Sequence, residues 1–152
     1  MQDPTDSLSY YNEEMERYAN DYASYIMEVI EEAKNYCNDP LVLIEQRLDF
    51  SRFVPEGFGT GDCLIIADKK LYIIDFKYGK GVEVESEANS QMMCYAIGAL
   101  ELFNSLYDIE EVCMVIYQPR IENISVSNMS VTELYYWAEN TLIPIAVLAY
   151  DG

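Results

Sequence analysis

The chain contains no histidine, and only 9 of its 152 residues are lysine or arginine, against 27 aspartates and glutamates. Without histidine, Ser-His-Asp triads, HExxH zinc proteases and Cys2His2 fingers are excluded. A formal charge of −18 argues against a surface that grips nucleic acid over its whole extent by counterion release, and leaves room for a local site or for bound cations. The four cysteines, Cys37, Cys63, Cys94 and Cys113, form no CxxC pair. Metal clips and redox motifs therefore give way to reduced, buried thiols suited to the cytoplasm. Long apolar runs are missing as well. The longest uncharged apolar stretch, Leu142 to Tyr150, is interrupted by Pro144 and falls short of the roughly 20 residues that span a bilayer. With no signal-peptide pattern at the N-terminus, the expectation is a cytoplasmic protein with no membrane partner.

What is present suits one domain over 1–152: hydrophobic residues make up 51% and charged residues 24%, a balance that folds by burial. From about Asn12 to Cys37, Met15, Tyr18, Ala19, Tyr22, Ile26, Val29, Ile30 and Ala33 recur at helical spacing between acidic residues. This predicts a long amphipathic helix stopped near Asn38-Asp39-Pro40. Strand-like runs follow at Leu41 to Phe50, Asp62 to Ala67 and Lys70 to Lys77, with a Pro55–Gly61 loop and an Asp68-Lys69 turn between them. The last two predict a hairpin. A helix capped by Asn89 or Ser90 runs to about Leu106, a strand spans Val112 to Tyr117, and Ser130 to Glu133 has capping-box spacing that opens a helix to about Leu142. The order α-β-β-β-α-β-α, with a crossover helix before the fourth strand, predicts an α/β fold with a mixed sheet flanked by helices. The tail beyond Pro144 fits strand or helix.

Chemistry concentrates at the predicted hairpin. Alternation along a strand points Asp75 and Lys77 to one side and Phe76 to the other, and a hairpin of suitable register sets Asp62 beside Asp75. Two carboxylates together suit Mg²⁺, which takes oxygen ligands and keeps several waters. A lysine beside them supplies positive charge to a phosphate in transfer. Taken alone, Asp-x-Lys at a strand end is an ordinary surface ion pair. Gln91 and Tyr95, four apart at the start of the second predicted helix, share a face, where an amide and a phenol can position a phosphate or a base.

Gly-x-x-Asp at 59–62, Asp-x-Lys at 75–77 and Gln-x-x-x-Tyr at 91–95 together resemble the motif series of the RecB-like branch of the PD-(D/E)xK nucleases. Glu45-x-Arg47-Leu48-Asp49, Gly57-Phe58-Gly59-Thr60-Gly61-Asp62, Ile74 to Val82, Asn89-Ser90-Gln91 and Gln118-Pro119-Arg120 are similar to a phage-associated exonuclease subfamily of that branch, over roughly residues 15 to 151. The resemblance implies a restriction-endonuclease-like core and a Mg²⁺- or Mn²⁺-dependent deoxyribonuclease. Asp62, Asp75, Lys77 and Gln91 are then catalytic. Asp62, Asp75 and the Phe76 carbonyl are metal ligands, with Glu45 as an extra acid and Glu28 as a more remote one.

Gln91, Tyr95, Tyr78, Lys80 and Arg120 are the expected DNA contacts, and Lys69, Lys70, Lys77 and Lys80 gather four cations in one hairpin and its exit loop. The partner is DNA, with room for a homo-oligomer or a phage recombination partner. The chain lacks the histidine that many RecB-like nucleases place before the first aspartate. Its cysteines fall in predicted core elements, so no iron–sulfur cluster is expected. The subfamily's cysteine-bearing tail is also missing, which reads as a minimal or truncated form. Two rival readings stand beside it: a catalytically weak nuclease-fold module that acts with a partner, and an acidic DNA mimic that occupies a partner's basic groove, which has no use for Asp62, Asp75, Lys77 and Gln91.

Overall fold

A computed structural model describes residues 4–78, 83–87 and 89–151. Helix α1 (Pro4–Ala33) is followed by β1 (Leu41–Asp49), β2 (Phe58–Ala67) and β3 (Lys70–Phe76), then α2 (Ser90–Phe103), β4 (Glu111–Gln118), β5 (Asn123–Ser130), α3 (Val131–Trp137) and α4 (Ile143–Asp151). The five strands form one sheet in the order β1-β2-β3-β4-β5. The β3–β4 pair is parallel and the other pairs are antiparallel. This is an α/β fold with a mixed sheet flanked by helices. The parallel pair follows from α2, because only a crossover can return the chain to start a strand in the same direction.

The two faces of the sheet are covered by different helices. On one face Ile26, Val29 and Ala33 of α1 pack on Cys63, Ile65, Tyr72, Ile74, Cys113 and Val115. On the other, Met92, Met93, Ala96, Ala99 and Leu100 of α2 pack on Leu64, Ile66, Leu71, Ile73, Val112, Met114 and Ile116. Central strands buried on both faces read as continuous apolar runs, as Leu64-Ile65-Ile66 and Leu71-Tyr72-Ile73-Ile74 do. Each fully buried aliphatic side chain contributes roughly 1.5–3 kcal/mol. Among the described residues no helix is long and apolar enough to cross a membrane.

Three elements depart from the sequence expectation. Helix α1 starts at Pro4, a residue suited to a first helical position, and ends at Ala33. Beyond it, Asn35 N–H and Tyr36 N–H bond three residues back at 3.0 and 2.9 Å and close the chain into turns. Strand β2 begins at Phe58, so Gly59, Thr60 and Gly61 are strand residues paired with Leu48, Arg47 and Gln46. The third departure is β5. Asn-Ile-Ser-Val-Ser-Asn-Met-Ser is rich in residues that favour turns, and its pairing with β4 makes it a strand. The tail, which fits strand or helix by sequence, is helical as α4 and joins α3 through a π-helical turn at Ala138–Leu142.

Candidate active site

Strands β2 and β3 pair with Cys63 opposite Ile74, so the next positions outward, Asp62 and Asp75, face one another across the hairpin. Leu64 and Ile73 point to the α2 face, and alternation puts Asp62, Asp75 and Lys77 on that same side. The Phe76 N–H donates to Asp62 Oδ2 at 2.7 Å, and the Asp75 carboxyl is near enough to oppose the charge on Asp62. Lys77 Nζ stands 2.9 Å from Asp75 Oδ2. That oxygen is buried and makes no aligned hydrogen bond among the described residues, so the contact is an ion pair that leaves a lone pair unused.

Electrostatics mark the pair. Burial, and after it the neighbouring Asp75 carboxyl, raise Asp62 from 3.8 to about 6, against the opposing pull of the Phe76 N–H and of Lys77. Two like charges forced together at a half-buried place gain from a cation between them. The donor set fits a small hard cation: two carboxylates and the adjacent Phe76 carbonyl are the oxygen ligands that Mg²⁺ takes, with waters making up the rest.

Helix α2 overlooks the same face. The Asn89 side chain caps it by accepting from Met92 N–H. Gln91 Nε2 donates to the Tyr95 hydroxyl at 3.2 Å, so the predicted pair does form a unit. Tyr95 lies over Gly59, where any Cβ would collide with its ring. At Gly61 a Cβ would come within 2.7 Å of Leu64 Cδ1 and 3.1 Å of Leu48 Cδ1. These glycines serve close packing inside a strand, where the sequence suggested a flexible loop.

Other expected residues are placed elsewhere. Glu45 does not join the acids: it is exposed, its φ of 53° breaks the ladder between Ile44 and Gln46, and no group of three acidic or thiol side chains able to hold a metal occurs among the described residues. Glu28 is exposed on α1. Lys80 lies outside the described residues. Lys69 and Lys70 are at the far end of β3 from Asp75, roughly 17–20 Å away at about 3.3 Å per residue. There Lys69 faces Glu110 at 3.7 Å, and Lys70 lies over the Tyr36 and Tyr72 rings, beside a cavity of about 810 Å³. A hairpin's two ends are near in sequence and distant in space, so the cation cluster read from the sequence is split.

The expected DNA contacts are split as well. Tyr78 and Arg120 sit on the α1 side, with the Arg120 guanidinium 5.1 Å from the Tyr78 ring centroid and Tyr78 edge-on to Tyr18 of α1 at 5.9 Å. An aromatic cluster that no sequence motif marks surrounds them. Tyr22 of α1 packs on Phe76 at 4.6 Å and on Tyr117 at 5.5 Å, and its hydroxyl is buried with no hydrogen bond among the described residues. The signal was present as Tyr18 and Tyr22, four apart on one helix face, but helical spacing reads them as core. Cys63, Cys94 and Cys113 are unpaired, and burial pushes each thiol up to about 11, which leaves them unreactive.

The family described as "Protein of unknown function (DUF2800)" matches residues 2–152. Among solved structures the chain is similar to one described as "Crystal structure of SSO0001", with 14% identity and a TM-score of 0.38, covering 87% of this chain and 62% of that one. The chain thus spans less than two thirds of that protein's length.

Proposed function

We propose that this chain, which belongs to the family described as "Protein of unknown function (DUF2800)", is a Mg²⁺- or Mn²⁺-dependent deoxyribonuclease, an exonuclease of the RecB-like PD-(D/E)xK kind with a restriction-endonuclease-like core. The observation that carries this reading is the meeting of Asp62, Asp75 and Lys77 at one end of the β2–β3 hairpin, with Lys77 Nζ 2.9 Å from a buried carboxylate oxygen. In this reading Asp62, Asp75 and the Phe76 carbonyl hold the cation. When bound, the cation supplies Lewis-acid polarisation of the scissile phosphate and a lowered water pKa.

The chain's own groups do the rest. Lys77 offers its ammonium to the charge that develops on the phosphate oxygens, or holds the attacking water by hydrogen bond. Gln91 and Tyr95, held together by their own hydrogen bond, present an amide and a hydroxyl to the strand from the N-terminal turns of α2. Fixed donors of this kind lower the barrier without reorganising at the moment of reaction.

The test is degradation of linear DNA by the purified protein in Mg²⁺, compared with EDTA and with Lys77→Ala. Loss of about 10³-fold or more in the variant, with unchanged circular dichroism, is the expected result. Equal activity in Lys77→Ala overturns the reading. One observation favours a second reading, a catalytically weak module whose partner supplies the DNA contacts: Lys69 and Lys70 are remote from the acids, and Arg52 is engaged by Glu101 at 2.7 Å. DNA binding without divalent-dependent cleavage would select it.

A further inference from the structure

A second feature at the same end of the sheet has no part in the chemistry above. A cleft of about 440 Å³ lies between α1 and the β4–β5 connection, and Arg17, Tyr18, Tyr117, Arg120 and Asn123 line it together with Asp21 and Glu122. Its volume suits a ligand of nucleotide size. Two guanidinium groups reach it from different elements. Arg17 lies over the Tyr18 ring at 4.9 Å. Arg120 is fixed between the Tyr78 ring at 5.1 Å and Glu14 Oε1 at 3.5 Å, with its Nε buried and making no hydrogen bond among the described residues. Asn123 is held in orientation, since its Nδ2 donates to Val84 O at 3.0 Å and to Gln118 Oε1 at 2.6 Å.

We propose that this cleft binds one nucleotide of a single DNA strand, further along that strand from the nucleotide whose phosphate meets the acid pair. Guanidinium groups match phosphate oxygens, and the half-buried Tyr18 ring gives a base a stacking surface. Position supports the same occupant. Strands β3 and β4 are parallel and end together, with Phe76 opposite Tyr117 and the Lys77 N–H donating to Tyr117 O at 2.9 Å. The cleft therefore lies at the same end of the sheet as the acids, on the α1 side where the acids face α2, so a strand that meets both passes round the ends of β3 and β4. Asp21, Glu122 and the Glu14 that pairs with Arg120 outnumber the two arginines, so the cleft holds its ligand by shape and local contacts and not by net charge. The whole protein, at −18, likewise offers a polyanion no net attraction.

The proposal rests on the nuclease reading, and the experiment separates the two. Binding of a fluorescein-labelled eight-residue oligo(dT) is followed by anisotropy in EDTA, with dTMP as competitor. Arg17→Ala and Tyr18→Ala should each weaken the oligonucleotide about tenfold. Arg17→Ala should also lower the slope of log affinity against log salt by about 0.7, Arg17→Lys should restore the slope, and Lys69→Ala at the far end should change nothing. Circular dichroism checks the fold. A 4-thiothymidine oligonucleotide should crosslink to the peptides bearing Tyr18 or Tyr117.

Unchanged oligonucleotide affinity in both α1 variants, or crosslinks only elsewhere, overturns the cleft. So does dTMP binding as tightly as the strand, which makes the occupant a free nucleotide. Arg17-dependent binding with no Mg²⁺-dependent hydrolysis supports the cleft and rejects the nuclease. Hydrolysis with Arg17-independent binding does the reverse.

Discussion

Asp62 titrates near 6 because burial and the Asp75 carboxyl both oppose its charge. The folded protein therefore binds this proton more tightly than the unfolded chain, whose aspartate titrates near 3.8. Stability from this group is fully present below about 3.8 and declines as pH rises towards 6. Asp62→Asn keeps an acceptor for the Phe76 N–H and removes the repulsion. At pH 7 it should raise stability by about 1 kcal/mol after discounting for solvent screening, a gain of about 3 °C in Tm, and flatten the profile between pH 4 and 6. Thermal melts across that range check this, and a lower Tm at pH 7 would contradict it. Lys77 and Asp75 were legible from alternation alone, and Asp62 from the hairpin. Glu45 was not, because a left-handed backbone at one strand residue leaves no mark in a sequence read by periodicity.

Elements show the same division. Helix α2, its Asn89 cap and the crossover to β4 follow from apolar spacing and cap chemistry, and Ser130 accepts from Glu133 N–H at 3.0 Å as the capping-box spacing requires. Ser130→Ala should cost about 1 kcal/mol, seen as a Tm lower by about 3 °C. An unchanged Tm would remove the cap from the account. Strand β5 was hidden because it is an edge strand with Ile124 and Val126 exposed, shaped by its partner more than by its own residues. The glycines of β2 misled for a related reason: composition cannot tell a turn glycine from one pressed against a ring. Gly59→Ala should displace Tyr95 and cost about 1–3 kcal/mol, with the Gln91–Tyr95 hydrogen bond lost. Chemical denaturation measures the first effect, and Tyr95 ring shifts in NMR the second.

At the scale of the whole molecule, 27 acidic residues against 9 basic ones set the terms for any function. Such a chain attracts divalent cations diffusely, so a specific site must be told apart from the general field, which salt screens over about 8 Å at physiological ionic strength. The central claim is that Asp62 and Asp75 share one cation. Electron paramagnetic resonance of Mn²⁺ titrated into the protein at physiological ionic strength tests it most directly. The account predicts one tight site, displaced by Mg²⁺ and lost in both Asp62→Asn and Asp75→Asn, while Asp68→Asn at the far turn keeps it. Tight Mn²⁺ binding that survives in both site variants would contradict the account.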